Sequence, residues 1–249
     1  MNIDLDEIVN KLLDSESVVF LTGAGMSAES GIQTFRGAEG YWSKFNPMEL
    51  ASKEGFKNDP NLVWRWYQER LENVRKNNPH DGHFAISKIQ KILPNVTVIT
   101  QNVDGYHQKA GSRNVLELHG SIVKFKCIEC QKRYDEELIA NELNHCTYCD
   151  GLIRPDVVWF GEQLPYDTLS QSEYASSNCD IIFSIGTSSE VHPAAGLPLI
   201  AKQGGAVIIE VNPNETNLSK NADLTIREEA KSFIPKLLKR LEYKKREMK

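Results

Sequence analysis

The sequence predicts an α/β fold: a mostly parallel, doubly wound sheet with helices on both faces, joined to a smaller module that carries cysteines. Three observations carry that expectation. Short apolar runs rich in β-branched residues recur at 18–22, 96–100, 181–186, 206–211 and 224–226. Stretches with helical character, such as 83–92 and 193–202, separate most of these runs, and strands alternating with helices build parallel sheets. Between the second and third runs, four cysteines fall as two pairs in the pattern C-x2-C-x15-C-x2-C.

The elements follow in chain order. Ile3, Leu5, Ile8, Val9, Leu12 and Leu13 recur at helical spacing and predict an amphipathic opening helix. The run at 18–22 is the first strand, followed by a glycine-containing turn. Residues 37–79 lack strand signals and read as a helical insertion. The strand at 96–100 follows, and 122–154 interrupts the alternation as an inserted small module. The strands at 181–186, 206–211 and 224–226 complete the sheet. The clustered Lys and Arg from Lys236 to Lys249 read as a solvated helix end and tail. Residues 1–36, 80–121 and 156–249 are thus expected to form one discontinuous domain, with 37–79 and 122–155 forming the smaller one.

Composition excludes several classes. The 249 residues include 29 Lys and Arg against 34 Asp and Glu, a net charge of −5. That balance argues against a chain that depends on nucleic acid, where a basic face supplies the affinity. An apolar fraction of 40% supports a sizeable core and excludes a disordered chain. No window approaches the roughly 18 uninterrupted apolar residues of a membrane helix. The acidic, amphipathic start lacks the chemistry of a secretory signal. A soluble, cytoplasmic protein without a membrane partner is expected.

In a reducing compartment disulfides are disfavoured, and the spacing of Cys127, Cys130, Cys146 and Cys149 suits a tetrahedral zinc site. Four thiolates close the coordination shell, so the zinc is expected to be structural, not catalytic. His145 adjoins Cys146 and is read as an exposed loop residue, because neighbouring side chains seldom both aim at one metal. Cys179 is expected to pack as a small hydrophobe.

Polar and glycine-rich clusters lie just beyond the expected strands: Gly23-Ala24-Gly25-Met26-Ser27 after the first, Gln101-Asn102-Val103-Asp104 after the second, Gly186-Thr187-Ser188 after the third and Asn212 after the fourth. In an open α/β sheet these ends line one crevice, where ligands bind. Glycines there let a pyrophosphate approach the backbone, and a following helix N-terminus favours its charge. A Gly-Ala-Gly without a third glycine is a weak signal alone. Four clusters together predict a dinucleotide pocket.

Longer strings then resemble a known family, the sirtuins, which are NAD-dependent protein-lysine deacylases. They are GAGMSAESGIQTFRG (23–37), TQNVDGYH (100–107), LELHGS (116–121), the four cysteines, VVWFGE (157–162) and GTSSEVHPAA (186–195), and the likeness runs from about residue 8 to 235. One departure is Gln33, where the family usually carries proline. The resemblance implies a Rossmann-type domain, a smaller zinc-binding and helical domain, and NAD consumed as a co-substrate. In that chemistry the acyl-lysine amide oxygen attacks the nicotinamide ribose carbon, nicotinamide leaves, and the acyl group ends on ADP-ribose. Gly23, Ala24, Gly25 and Ser27 would cradle the pyrophosphate. Phe35 and Arg36 would cover the nicotinamide ribose. Asn102 and Asp104 would bind the nicotinamide amide, Gly186, Thr187 and Ser188 the adenosine side, and Asn212 the adenosine ribose. Glu29, Thr34, Tyr41, Trp42, Gln101, Pro213, Asn214 and Ala230 would complete the NAD site. Val157 to Glu162 would form an edge along which the acylated peptide adds as a strand, with Val157, Phe160 and Gly161 contacting it. His119 would be the general base, a task suited to a group titrating near neutrality. His80, His83, His107 and His192 are expected to cap or pack.

Tyr67 and Arg70 stand at i and i+3 in a helical stretch and so share a face. With Ala51 they resemble the class III subclass that removes succinyl, malonyl and glutaryl groups. There the alanine makes room, and the tyrosine and arginine bind the distal carboxylate. The competing readings are a general deacetylase, an ADP-ribosyltransferase using the same activated NAD, and a non-catalytic NAD- or ADP-ribose-binding module, against which His119 argues.

Overall fold

The computed structural model describes residues 5–35, 40–134 and 142–248. Its main sheet has six parallel strands: β1 (Val18–Thr22), β2 (Val96–Thr100), β3 (Val115–Glu117), β7 (Ile181–Ile185), β8 (Val207–Val211) and β9 (Leu224–Ile226). Their spatial order is β3-β2-β1-β7-β8-β9. The chain winds outward from β1 to β3, then returns to the other side of β1 and winds outward again. The reversal falls between β1 and β7, paired in register from Val18↔Ile181 to Thr22↔Ile185. Such a switch point opens a crevice at the carboxyl ends of the strands.

The central strands are mostly apolar and buried because both faces of the sheet are covered there. Val18 and Phe20 of β1 pack on one side with α1 (Leu5–Asp14), α7 (Asp81–Ile92) and α11 (Ala230–Glu247). Val19 and Leu21 pack on the other, with α10 (Leu197–Gln203). Burying each such side chain contributes about 1.5–3 kcal/mol. The edge strand β3 was not read from the sequence; it ends in Glu117 and all three of its residues are only partly buried. The basic carboxyl-terminal segment is a helix end whose Lys236, Lys239 and Arg246 are exposed, as expected, while its other described basic residues dock on the domain. α11 remains helical to Glu247, Arg240 pairs with Asp6, Lys244 with Asn10, and Lys245 with the main-chain oxygen of Ile92.

A second sheet is antiparallel, in the order β5-β4-β6: β4 (Gly120–Cys127), β5 (Arg133–Tyr134) and β6 (Ile153–Val157). Four helices lie in the expected helical segment: α3 (Tyr41–Lys44), α4 (Pro47–Leu50), α5 (Lys53–Asn58) and α6 (Pro60–Lys76). Local chemistry fixes the start of α6. The Asp59 carboxylate accepts from the Leu62 N–H at 2.9 Å, and Pro60 takes a first-turn position, where a missing N–H costs nothing. Trp64, Trp66 and Tyr67 of α6 share a separate aromatic core with Phe56, Phe125 and Trp159. No helix of the described residues is long and apolar enough to cross a membrane.

Candidate active site

The loops after β1 and β7 touch. Gly23 N–H donates to Ile185 O at 2.9 Å, and Gly25 N–H to Gly186 O at 2.8 Å. A Cβ on Gly25 would lie 2.7 Å from Gly186 Cα, and Gly186 itself has φ +59°. These glycines therefore have a reason internal to the protein, the close approach of two strand ends, besides the expected access for a phosphate. The helix after β1, α2 (Gly25–Ala28), is a single turn, shorter than the dinucleotide pattern suggests. Side chains lock the remaining strand ends together. Asn102 Nδ2 donates to Gly23 O at 2.9 Å, Gln101 Nε2 to Thr187 Oγ1 at 3.1 Å, and Asn212 Nδ2 to Thr187 O at 3.1 Å.

A cavity of roughly 840 Å³ runs from these loops to the aromatic core. Apart from the cysteines, it is lined by the expected site residues except Ser27, Tyr41, Asp104 and Arg36. Ser27, Tyr41 and Asp104 line a smaller pocket that shares Ala24, Phe35, Arg70 and Asn102 with it. Arg36 lies outside the described residues. The cavity is in the size range of ligand sites, and its polar strand ends fit a dinucleotide. His192, expected to cap or pack, is instead exposed and lies on the cavity wall. His80 does cap: its Nδ1 accepts from the Gly82 N–H that opens α7. His83 and His107 are fully buried, and His107 Nε2 lies 3.0 Å from Thr22 Oγ1.

His119 occupies the turn between β3 and β4. Its Nδ1 is 3.0 Å from Gln101 O. A carbonyl only accepts, so Nδ1 is the protonated nitrogen and Nε2 the basic one. Burial pushes its pKa below the ordinary histidine value, against a smaller opposing effect of the Gln101 hydrogen bond. Burial also raises the Asp104 carboxyl, opposed by the Tyr106 N–H it accepts.

At the other end of the cavity stand Tyr67, Arg70 and Ala51. The Arg70 guanidinium lies over four aromatic rings, 4.5 Å from the Trp66 centroid, 4.9 Å from Phe35, 5.1 Å from Tyr67 and 5.5 Å from Tyr41. Among the described residues it forms no ion pair with a carboxylate. Burial lowers its pKa and raises that of Tyr67; arginine remains charged and tyrosine remains a hydroxyl donor at neutral pH. Tyr67 Oη accepts from Trp159 Nε1 at 2.9 Å.

The segment after β6 is more committed than an open strand edge. Val158 N–H donates to His119 O, Phe160 N–H to Ala51 O, and Trp159 N–H to Glu162 Oε2. Gly161 takes φ +82°. Trp159, Glu162 and their partner Arg154 were not singled out in the sequence. Trp159 and Glu162 lie within the VVWFGE string, but nothing in its spacing distinguishes a residue that faces the cavity from one that supports it.

The four cysteines converge. All four Sγ atoms lie within 4.8 Å of one another, with Cys127 and Cys149 at 3.5 Å and Cys130 and Cys146 at 3.6 Å. No disulfide links them, and a set of four thiols at such separations fits a tetrahedral zinc ion. His145 is exposed and outside the cluster, its Nδ1 bonded to Asp150 O. Cys179 is buried, as expected.

Comparison with known proteins agrees with this geometry. Residues 23–193 match the Sir2 family. A protein of Aquifex aeolicus (strain VF5) named NAD-dependent protein deacylase is 48% identical over 227 residues, covering 90% of this chain and 95% of that one. The solved structure of a Sir2 homolog–NAD complex superposes with a TM-score of 0.92 at 42% identity, covering 98% of this chain and 95% of that one. A Sir2–p53 peptide–NAD+ complex superposes with a TM-score of 0.84 at 32% identity, covering 96% and 98%.

Proposed function

The chain belongs to the Sir2 family, and from that premise we propose that it is an NAD-dependent protein-lysine deacylase whose preferred acyl groups end in a carboxylate. One observation carries the reading. A single cavity joins four polar strand ends, a histidine with a basic nitrogen, and a guanidinium that among the described residues forms no ion pair.

Each wall has a task. The loops at 23–27, 101–104, 186–188 and 212–214 would hold NAD, with Thr34, Phe35, Tyr41 and Trp42 at its nicotinamide end and Glu29 and Ala230 at its flank. NAD supplies an electrophilic ribose carbon as nicotinamide departs. The acyl-lysine of a peptide resting on Val157, Phe160 and Gly161 would present its amide oxygen there. His119 Nε2 would then accept a proton from a ribose hydroxyl, while the Gln101 carbonyl holds the ring and its tautomer. Beyond the amide, Ala51 leaves room, and Tyr67 and Arg70 would bind the distal carboxylate. Nicotinamide and O-acyl-ADP-ribose would be released. Cys127, Cys130, Cys146 and Cys149 would hold one structural zinc away from the reacting atoms. Residues 1–36, 80–121 and 156–249 would act as the NAD-binding domain, and 37–79 with 122–155 as the smaller domain. The aromatic core draws most of its residues from 37–79 and 122–155, with Tyr106, Val157 and Trp159 joining from the larger domain, which supports that division in the main.

The test is incubation with NAD and peptides bearing succinyl-, malonyl-, glutaryl- or acetyl-lysine, read by mass spectrometry. Deacylated peptide with O-acyl-ADP-ribose, faster for the acidic groups, is expected. Faster acetyl removal would favour a general deacetylase. A mass gain on protein would favour ADP-ribosyl transfer, and NAD binding without turnover a binding module.

A further inference from the structure

Three side chains behind the acyl pocket form a rigid unit that the proposed reaction does not use directly. Arg154, 1% exposed, donates to both carboxylate oxygens of Glu162, at 2.9 and 2.8 Å. Glu162 also accepts the Trp159 N–H at 2.9 Å. The Arg154 guanidinium lies 3.5 Å from the centroid of the Trp159 ring, and Phe56 packs against that ring at 5.2 Å. Trp159 is thereby held through its main chain and its ring, and it is 2% exposed.

The one polar atom of that indole is spent on Tyr67, at 2.9 Å. Hydrogen-bond inventory gives this contact a direction. An indole N–H can only donate, so the Tyr67 oxygen must accept, and its single proton is left for another partner. The neighbouring Arg70 is donor-only as well and also hydrogen-bonds Tyr67, so the Tyr67 oxygen accepts from both and its proton points away from both. Trp66, 6% exposed and lining the same cavity, has an indole nitrogen without a partner among the described residues. Ala51, Phe35 and Trp42, which line the same cavity, carry no side-chain acceptor.

We propose that Trp159 is a specificity-determining positioning residue: by occupying an acceptor site on the Tyr67 oxygen it turns the phenolic proton into the pocket, so that this end reads acyl groups ending in hydrogen-bond acceptors. The inference rests on the acidic-acyl reading above and adds to it the residue that sets the direction of the Tyr67 hydroxyl. Arg154 and Glu162 fix the indole, and the indole fixes the hydroxyl.

The experiment measures kcat/KM for succinyl-lysine and acetyl-lysine peptides on the full chain and follows their ratio, which cancels any general loss of folded enzyme. Trp159→Phe is expected to lower the succinyl-to-acetyl ratio by about 2- to 10-fold, the effect of one neutral hydrogen bond, with the change in KM for the succinyl peptide. In a Tyr67→Phe background the same substitution should leave the ratio where Tyr67→Phe put it. Replacing Trp159 by benzothienylalanine keeps the ring shape and removes only the N–H, so it should match Trp159→Phe even if phenylalanine packs poorly. Arg70→Met separates the two levels of the argument. If Arg70→Met lowers the ratio while both Trp159 variants leave it unchanged, or if Trp159→Phe lowers it equally with and without the Tyr67 hydroxyl, Trp159 acts by packing alone and the proposal is overturned. If Arg70→Met leaves the ratio unchanged, the acidic-acyl reading fails and the role of Trp159 fails with it.

Discussion

The Nδ1 atom of His119 lies 3.0 Å from the main-chain oxygen of Gln101, and that contact decides which nitrogen is basic. The carbonyl belongs to the loop after β2, where the side chains of Gln101 and Asn102 cross-link to the loops after β7 and β1. The orientation of the proposed base is therefore tied to the same strand ends that would hold NAD.

His119→Ala should slow deacylation by roughly 10²–10⁴-fold, the usual range for a positioned acid–base group, while NAD binding measured by calorimetry persists. Because burial lowers the His119 pKa, the basic form is populated at lower pH than for an ordinary histidine. Deacylation by the native chain should therefore rise with pH along an acid limb whose midpoint lies below about 6.5. A midpoint above that value, or wild-type turnover by the alanine variant, would remove His119 from the proposed role.

Cys146→Ala should abolish stoichiometric zinc and unfold the small module, because zinc binding to such sites contributes about 10–16 kcal/mol of apparent free energy coupled to folding. Metal content and thermal midpoint, measured on the same sample, are the readouts. A variant that lost zinc but kept its midpoint and turnover would contradict a structural ion.

Two buried histidines should make the fold sensitive to acid. Burial drives His83 down to about 2 and His107 down to about 3, with the other histidines of the cluster adding to the effect. Both folded values lie below the ordinary value near 6.5, so the unfolded chain binds more protons in between. Stability from these groups is complete above about pH 6.5 and is lost as pH falls, by about 1.4 kcal/mol per pH unit for each histidine. His107→Gln removes one of the two titrating groups. Urea unfolding between about pH 4 and 5.5 should show a slope shallower by one proton, and an unchanged slope would show that His107 is not buried neutral.

Much of the fold was legible because the signals are local. The run at 18–22 shows β1 through its continuous apolar character, and the glycines after it mark the switch point. His119 was reached through a long matching string, since no spacing rule separates it from the histidines that cap or pack. The structure places His80 at the start of α7 but His192 on the cavity wall. That difference follows from how loops after β7 approach the crevice, which is a tertiary fact. Trp159 shows the limit most clearly. Its partner Tyr67 lies 92 residues away, and the direction of a hydroxyl proton has no trace in either local sequence. Arg70 was legible from its i,i+3 relation to Tyr67, whereas the aromatic faces that surround it came together only through folding.

The Arg70 guanidinium gives the sharpest test of acyl preference. It is held among aromatic faces with the Asp104 carboxyl acting on it only through space, so a bound carboxylate would give it a direct ion pair. Arg70→Met keeps most of the bulk and removes that charge. A hydrogen bond to a charged partner contributes about 1.5–3 kcal/mol, and at 1.4 kcal/mol per decade kcat/KM for succinyl-lysine should fall roughly 10- to 100-fold. An acetyl group has no distal carboxylate to lose, so the succinyl-to-acetyl ratio should fall by nearly the same factor. Tyr67→Phe should move the ratio in the same direction by less, since it deletes one neutral hydroxyl. Replacing Ala51 by a bulkier residue such as Leu should also lower the ratio, because steric closure penalises the longer acyl chain first. A ratio unmoved by Arg70→Met would assign the arginine to packing among Phe35, Tyr41 and Trp66, and would leave deacetylation without acidic preference as the reaction.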